Sequence, residues 1–149
     1  KLKIPLKIIG RGPEMKRLKK IAGPNIEFLG RVSDEDLAKY YARCQAFIFP
    51  QEEDFGIVAI EAMASGRPVI AYRGGDVPEH IEEGKTGIFI KKQTPQDIIE
   101  AVEKFKNQNF DPNYIREKVK KFDKDVFKAK IKEYIEKEYG SHRKHIVTR

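Results

Sequence analysis

AFIFPQEEDFGIVAIEAMASGRPVIAY, residues 46–72, is the stretch that decides the fold. Its first part, Ala46–Pro50, is a continuous apolar run, which is typical of a parallel strand buried on both faces. A polar loop leads to a helix over about Gly56–Ala64, which ends near Gly66. The second apolar run, Pro68–Tyr72, predicts the next strand. A strand, a helix and another strand in this order predict a βαβ unit with two parallel strands.

The same alternation of strand and helix continues on both sides of this unit. Apolar runs stop at glycine or proline, and the helical segments between them repeat apolar residues every three or four positions. The further predictions are strands over Pro5–Gly10, Ile26–Gly30 and Thr86–Ile90, and helices from Pro13, over Asp34–Arg43 with Ser33 as N-cap, over Val77–Glu82, and beyond Pro95 to Tyr139.

Together these elements predict an α/β domain, a Rossmann-like parallel sheet flanked by helices on both faces. We expect this domain to cover residues 1–140. The last residues, 141–149, are polar, and we expect them to form a flexible tail.

The composition excludes several classes of protein. No apolar run approaches the roughly 20 residues of a membrane-spanning helix. A lone Cys44 excludes a disulfide framework and fits a cytoplasmic protein. The net charge of +7 is uneven: residues 1–50 hold 11 basic and 5 acidic side chains, and residues 51–94 hold 5 and 8. This charge gives only weak support for nucleic-acid binding. The basic residues form no recognition motif, and they do not alternate with aromatic residues on one surface.

Two glutamates frame the predicted helix start that follows the first apolar run. Folds of this class bind ligands at the carboxyl ends of their strands. Glu53 lies in such a loop, and Glu61 follows eight positions later on the helix. Gly56 allows close approach to the backbone, and the helix N-terminus offers unpaired N–H groups to a diphosphate. Carboxylates accept hydrogen bonds from paired hydroxyls, so the two glutamates are suited to the sugar and ribose of a nucleotide sugar.

A longer string of motifs accompanies the glutamates. Two glutamates separated by seven residues and followed by Ala-Met-Ala-x-Gly-x-Pro-Val resemble the mark of glycosyltransferase family four (group 1), whose members are retaining enzymes of the GT-B architecture. Other motifs match this family in order: Gly10-x-Gly12-Pro13, Asn25-x-x-Phe28-x-Gly30-x-Val32, Gly74-Gly75-Asp76-Val77-Pro78-Glu79 and Thr86-Gly87.

The resemblance covers about Leu6–Ile90 and is to the C-terminal, donor-binding lobe of these enzymes. The amino-acid sequences of Glu53–Gly56 and Ala64–Ala71 are most similar to those of mannosyltransferases of bacterial or archaeal polysaccharide or O-antigen assembly.

The resemblance implies roles for nine residues. Glu53 would be the catalytic residue and contact hydroxyls of the transferred sugar, and Glu61 would hold the ribose. The other donor-binding residues would be Phe55, Gly56 and Ile57 through their backbone N–H groups, Arg31 and Val32 beside the nucleobase, and Gly10 and Gly12 in the loop on the donor side.

The resemblance also implies a reaction. Mannose or another hexose would pass from a GDP- or UDP-linked donor to an acceptor hydroxyl with retention of configuration. The resemblance implies no cofactor and no metal. The alternative is a module that binds a nucleotide sugar without transferring it.

One departure from the family concerns the start of the chain. Family members carry an Arg and a Lys in a strand–helix unit upstream of the strand matched by Leu6–Ile9, and Lys1–Pro5 does not match that unit. We therefore expect an N-terminally incomplete lobe that is inactive when isolated. Its glycan or lipid-linked acceptor would bind a second, N-terminal lobe.

Two features of the sequence each allow two interpretations. The basic cluster Lys16-Arg17-x-Lys19-Lys20 is either a solvated helix face or a peripheral contact with an anionic membrane at its cytoplasmic side, worth ~1 kcal/mol per residue near the surface. The Gly74-Gly75 turn either is structural or lines the sugar site.

Overall fold

The computed structural model describes the backbone of residues 2–147 and the side chains of residues 2–139. These residues form five strands and six α-helices. The strands are β1 (Leu6–Ile9), β2 (Ile26–Gly30), β3 (Phe47–Phe49), β4 (Val69–Tyr72) and β5 (Gly87–Ile90). The helices are α1 (Met15–Ile21), α2 (Asp34–Arg43), α3 (Ile57–Ala64), α4 (Pro95–Lys106), α5 (Pro112–Val119) and α6 (Lys124–Val147).

Every strand pair is parallel, as predicted, but the strands form two sheets rather than one. One sheet pairs β1 with β2, and the other has the order β3–β4–β5. The predicted fold class, parallel strands flanked by helices, is confirmed. The division into two sheets was not predicted: β3 pairs with β4 and, within the described residues, with no strand of the first sheet. The segment before β1 links the two: Leu2 and Ile4 pack against the second sheet's core, and Asn25 Nδ2 donates to the carbonyl of Ile4 at 2.7 Å.

The core lies on the two faces of β4. Side chains alternate across a strand, so Val69 and Ala71 face one side and Ile70 faces the other. The first side packs against α3 and α5 through residues such as Met63 and Ile115, while Ile70 packs with β5 and α4. Helices therefore cover both faces of this sheet, which explains why its central strand is apolar throughout.

The helix ends show which local predictions hold. Ser33 caps α2 as predicted, because its Oγ accepts the N–H of Asp36 at 3.2 Å. The predicted helix over Val77–Glu82 is only a 3-10 turn, Val77–Glu79. The reason is local: the N–H of Glu82 donates to Thr86 Oγ1 at 2.8 Å, which diverts the chain toward β5.

The last helix, α6, is longer than the sequence pattern indicates. It continues past Tyr139 to Val147, so the backbone of residues 141–147 is helical instead of irregular. The flexibility of residues 141–149 stays a prediction. The last two of these residues lie outside the part of the chain that the structure describes. No helix among the described residues has the length and apolar character needed to cross a membrane.

Candidate functional site

The start of α3 is shaped by Gly56. This glycine is buried and left-handed, with φ +72° and ψ 47°, and a Cβ there would lie 3.0 Å from Val77 Cγ2 and 3.6 Å from the ring of Phe49. A larger residue would therefore be strained and crowded. Within the described residues, the N–H groups of Ile57 and Val58 have no hydrogen-bond partner. The helix thus presents free donors and its positive dipole end at the carboxyl end of β3.

The loop that carries Glu53 is held by the Gly74-Gly75 turn. Gly75 has φ +60°, and a Cβ at this position would lie 2.1 Å from the carbonyl oxygen of Glu53. The N–H of Asp76 faces the same oxygen at 3.4 Å. The turn therefore fixes the backbone at Glu53, while the exposed carboxylate accepts a hydrogen bond from Gln51 Nε2 at 2.6 Å.

Glu61 has a partner that sequence reasoning missed. The hydroxyl of Tyr41, near the end of α2, donates to Glu61 Oε2 at 3.3 Å. Tyr41 is buried, and burial together with the negative charge of Glu61 raises the pKa of its phenol. The hydroxyl therefore keeps its proton at neutral pH. The available signal was the position of Tyr41 one turn after Leu37 on the apolar side of α2, but it does not reveal the partner.

Phe55 belongs to an aromatic cluster beside the glutamate loop. Its half-exposed ring meets His80 edge-on at 5.3 Å and Phe122 at 5.5 Å between ring centroids. Burial, and then the positive charge of Lys121, lower the pKa of His80. The cluster therefore stays uncharged near neutral pH and anchors the residue that precedes Gly56.

The remaining predicted residues lie at the carboxyl end of the other sheet. The N–H of Gly10 donates to the carbonyl of Gly30 at 2.7 Å, which brings the loop after β1 beside the loop that begins with Arg31 and Val32. Gly12 closes the first of these loops, since its carbonyl accepts the N–H of Met15 at 3.2 Å.

The nine predicted residues thus form two groups. Glu53, Phe55 and Gly56 lie in the loop before α3 and Ile57 and Glu61 lie on that helix, whereas Gly10, Gly12, Arg31 and Val32 lie after β1 and β2. Within the described part of the chain, no hydrogen bond or ion pair joins a member of one group to a member of the other. Helix α2 connects the two groups: it begins just after Val32, and the hydroxyl of its Tyr41 donates a hydrogen bond to Glu61.

The first group has acidic surroundings. The loop Gln51–Gly56 holds three carboxylates and no basic side chain. Arg73, at the end of β4, is paired instead with Glu83 at 3.7 Å and lies over the ring of Phe89. Within the loop and the start of α3, the donors that an anionic ligand would meet are therefore the free N–H groups of Ile57 and Val58.

The comparisons with known proteins agree with this geometry. A family model described as glycosyl transferases group 1 matches residues 1–124. The chain belongs to this family. An uncharacterized glycosyltransferase of Methanocaldococcus jannaschii is 36% identical over 101 residues, which cover 64% of this chain and 29% of that protein.

This group 1 glycosyltransferase chain is also similar to a second curated protein and to a solved structure. A GDP-mannose-dependent alpha-(1-6)-phosphatidylinositol monomannoside mannosyltransferase of Mycobacterium tuberculosis is 32% identical over 110 residues, covering 65% of this chain and 29% of that protein. The structure of sucrose-phosphate synthase from Thermosynechococcus elongatus is similar with a TM-score of 0.63 and 27% identity, over 96% of this chain and 38% of that one.

These similarities confirm the Rossmann-like lobe of the GT-B type that the sequence predicts. The chain spans less than a third of the length of the two curated relatives.

Proposed function

We propose that this chain is the donor-binding lobe of a retaining glycosyltransferase of family four. The observation that carries the proposal is the start of α3, where free N–H groups lie between Glu53 and Glu61. A diphosphate fits the helix N-terminus, and the carboxylates on either side suit the hydroxyls of a sugar and a ribose. In this assignment Glu53 is the catalytic residue, and Gly56 and Ile57 offer their N–H groups to the diphosphate.

The donor we propose is a GDP- or UDP-linked hexose, with mannose as the first candidate. The mannosyltransferase relative supports mannose, because its name specifies GDP-mannose. Arg31, Val32, Gly10 and Gly12 would contribute from the neighbouring loops after β1 and β2. No metal or cofactor is assigned a role, since the proposed contacts are hydrogen bonds from and to this chain.

The proposal assigns the acceptor site and part of the charge compensation to residues outside this chain. A departing diphosphate needs cationic partners in the transition state, and the loop Gln51–Gly56 supplies none. We propose that an upstream strand–helix unit provides them and extends the β1–β2 sheet. The isolated chain should then bind the donor weakly and transfer no sugar.

Titration with nucleotide sugars tests the proposal. The chain is titrated calorimetrically with GDP-mannose, UDP-glucose, GDP and UDP. At least one donor should bind, and Glu61→Ala should weaken its binding about tenfold or more, because hydrogen bonds to a charged group contribute roughly 1.5–3 kcal/mol. Glu100→Ala is the matched control, since Glu100 is an exposed glutamate on α4, which covers the opposite face of the sheet.

The outcomes separate the candidates. Absence of donor binding at millimolar concentration would contradict the proposed site. Donor binding by the full-length protein without sugar transfer to any acceptor would favour the non-catalytic module. Binding of DNA or RNA that depends on salt and survives Glu61→Ala would favour the nucleic-acid reading.

The location of the protein is part of the proposal. We propose a cytoplasmic protein whose basic helix α1, with Lys16, Lys19 and Lys20 on one face, contacts an anionic membrane near a lipid-linked acceptor. The phosphatidylinositol monomannoside in the name of the mycobacterial relative supports a lipid-linked acceptor. Sedimentation with anionic vesicles, but not with neutral ones, is the expected result, and charge reversal of the three lysines should abolish it.

A further inference from the structure

Tyr41 is placed to control Glu61. Its ring packs edge-on against Phe47 at 5.5 Å between centroids, with an interplanar angle of 81°. Only 8% of Tyr41 is exposed, whereas Glu61 lies on the exposed side of α3. The buried ring thus has a fixed position, and its hydroxyl reaches the exposed carboxylate at 3.3 Å.

This contact matters because a glutamate on a helix surface is otherwise mobile. An exposed glutamate samples several rotamers, and a ligand that binds it must immobilise it. The bond from Tyr41 involves Oε2 and leaves Oε1 of the same carboxylate without a hydrogen bond from any described residue. A carboxylate can accept several hydrogen bonds, so the remaining oxygen is available to a ligand.

We propose that Tyr41 is a positioning residue of the donor site: its hydroxyl holds Oε2 of Glu61, so that Oε1 is directed to a hydroxyl pair of the donor. This inference rests on the proposed function, because it assumes that Glu61 binds the ribose. It also gives α2 a role, since this helix begins beside the predicted nucleobase loop at Arg31 and ends beside Glu61, the residue proposed to bind the ribose.

The test removes the hydroxyl and keeps the ring. Tyr41→Phe retains the packing on Phe47 and loses only the bond to Glu61. We expect the donor that binds the unaltered chain to bind Tyr41→Phe about three- to tenfold more weakly, the effect of losing one preordered side chain. Tyr40→Phe is the matched control on the same helix, since its ring lies beneath Lys7 Nζ, 5.7 Å from the ring centroid.

A double-mutant cycle distinguishes positioning from general packing. In the Glu61→Ala background, Tyr41→Phe should have no further effect on donor affinity, because the group that it positions is gone. Urea unfolding of each variant, measured alongside, identifies any loss of affinity that follows only from lower stability.

Three results would overturn the inference. If Glu61→Ala weakens donor binding but Tyr41→Phe does not, the positioning role is wrong and the proposed function stands. If Tyr41→Phe weakens binding equally in both backgrounds, its effect does not pass through Glu61. If the unaltered chain binds no donor, or Glu61→Ala binds it normally, the donor site assigned to Glu61 fails together with the inference.

Discussion

The two sheets of the molecule differ in how completely they are buried. Among residues 2–40, which contain β1, α1 and β2, no residue is buried, whereas Val69–Ala71 of β4 are at most 1% exposed. Both regions nevertheless contain apolar runs that predict strands equally well. The difference is in their partners: β1 pairs with one strand, while β4 pairs with two and is covered by helices on both faces.

This difference shows that an apolar run specifies a strand but not its burial. Two paired strands by themselves form a marginal structure in water, and no residue of the β1–β2 sheet or of α1 is buried. The proposed donor site draws on both regions. Its glutamates belong to the well-buried sheet, and the loops at Gly10 and Arg31 belong to the poorly buried one.

The largest effect should come from a cavity in the buried region. Met63 is fully buried between α3 and the sheet, so Met63→Ala should lower the free energy of unfolding by about 2–5 kcal/mol. Leu18→Ala in α1, which has no buried residue, should lower it by about 1 kcal/mol or less. Urea denaturation followed by circular dichroism measures both. Equal losses would show that the two regions are equally well packed.

A smaller effect should come from the turn that holds Glu53. Gly75→Ala places a methyl group where the Glu53 carbonyl lies and adds the strain of a left-handed residue, about 1–2 kcal/mol. Because the Glu53 loop must move, donor affinity should also fall about tenfold. Gly30→Ala in the other region shares the positive φ, 69°, but its Cβ would meet only Arg11 Nε at 3.9 Å.

Unfolding curves separate strain from collision in these two variants. Gly30→Ala should show the strain alone, and Gly75→Ala should be the less stable of the two. If both variants lose the same stability, the contact between Gly75 and the Glu53 backbone contributes nothing.

The sequence alone was sufficient for the local features of the site. The βαβ unit follows from two apolar runs around a helix, and the free helix start follows from Gly56, a residue without a side chain to cap it. These are properties of short segments, so they can be predicted without knowledge of the tertiary structure. The family assignment rests on the same segment and is confirmed at the level of glycosyl transferases group 1.

The contacts that sequence reasoning missed are all between distant segments. Tyr41 and Glu61 are 20 residues apart, and no periodicity connects α2 to α3. The collision between Gly75 and Glu53 depends on how two loops meet at the end of the sheet. The division into two sheets was equally hidden, because the order of strands is a property of pairing and not of any single strand.

The smallest effect on unfolding free energy is expected at surface ion pairs, of which one from each region is compared. Glu82, before β5, accepts hydrogen bonds from Lys118 and from the hydroxyl of Tyr114 at 2.7 Å, whereas Glu27 on β2 pairs with Lys7. Chiefly the bond from Lys118, and then that from Tyr114, lower the pKa of Glu82 from 4.5 to about 2. Its ionised form is therefore favoured by folding.

The sign of the pH effect follows from that lowered pKa. Glu82 stabilises the fold fully above its unfolded pKa, near 4.5, and this contribution is lost as the pH falls toward 2. The difference in unfolding free energy between the unaltered chain and Glu82→Gln should thus be constant from pH 6 to 7 and shrink between pH 5 and 2, in urea melts at each pH. Glu27→Gln should change stability less between pH 6 and 7, because its pair joins two exposed side chains and surface pairs contribute little. A difference for Glu82→Gln that does not change with pH would mean that its partners in α5 do not favour the ionised carboxylate, and that the buried region owes its greater stability to packing alone.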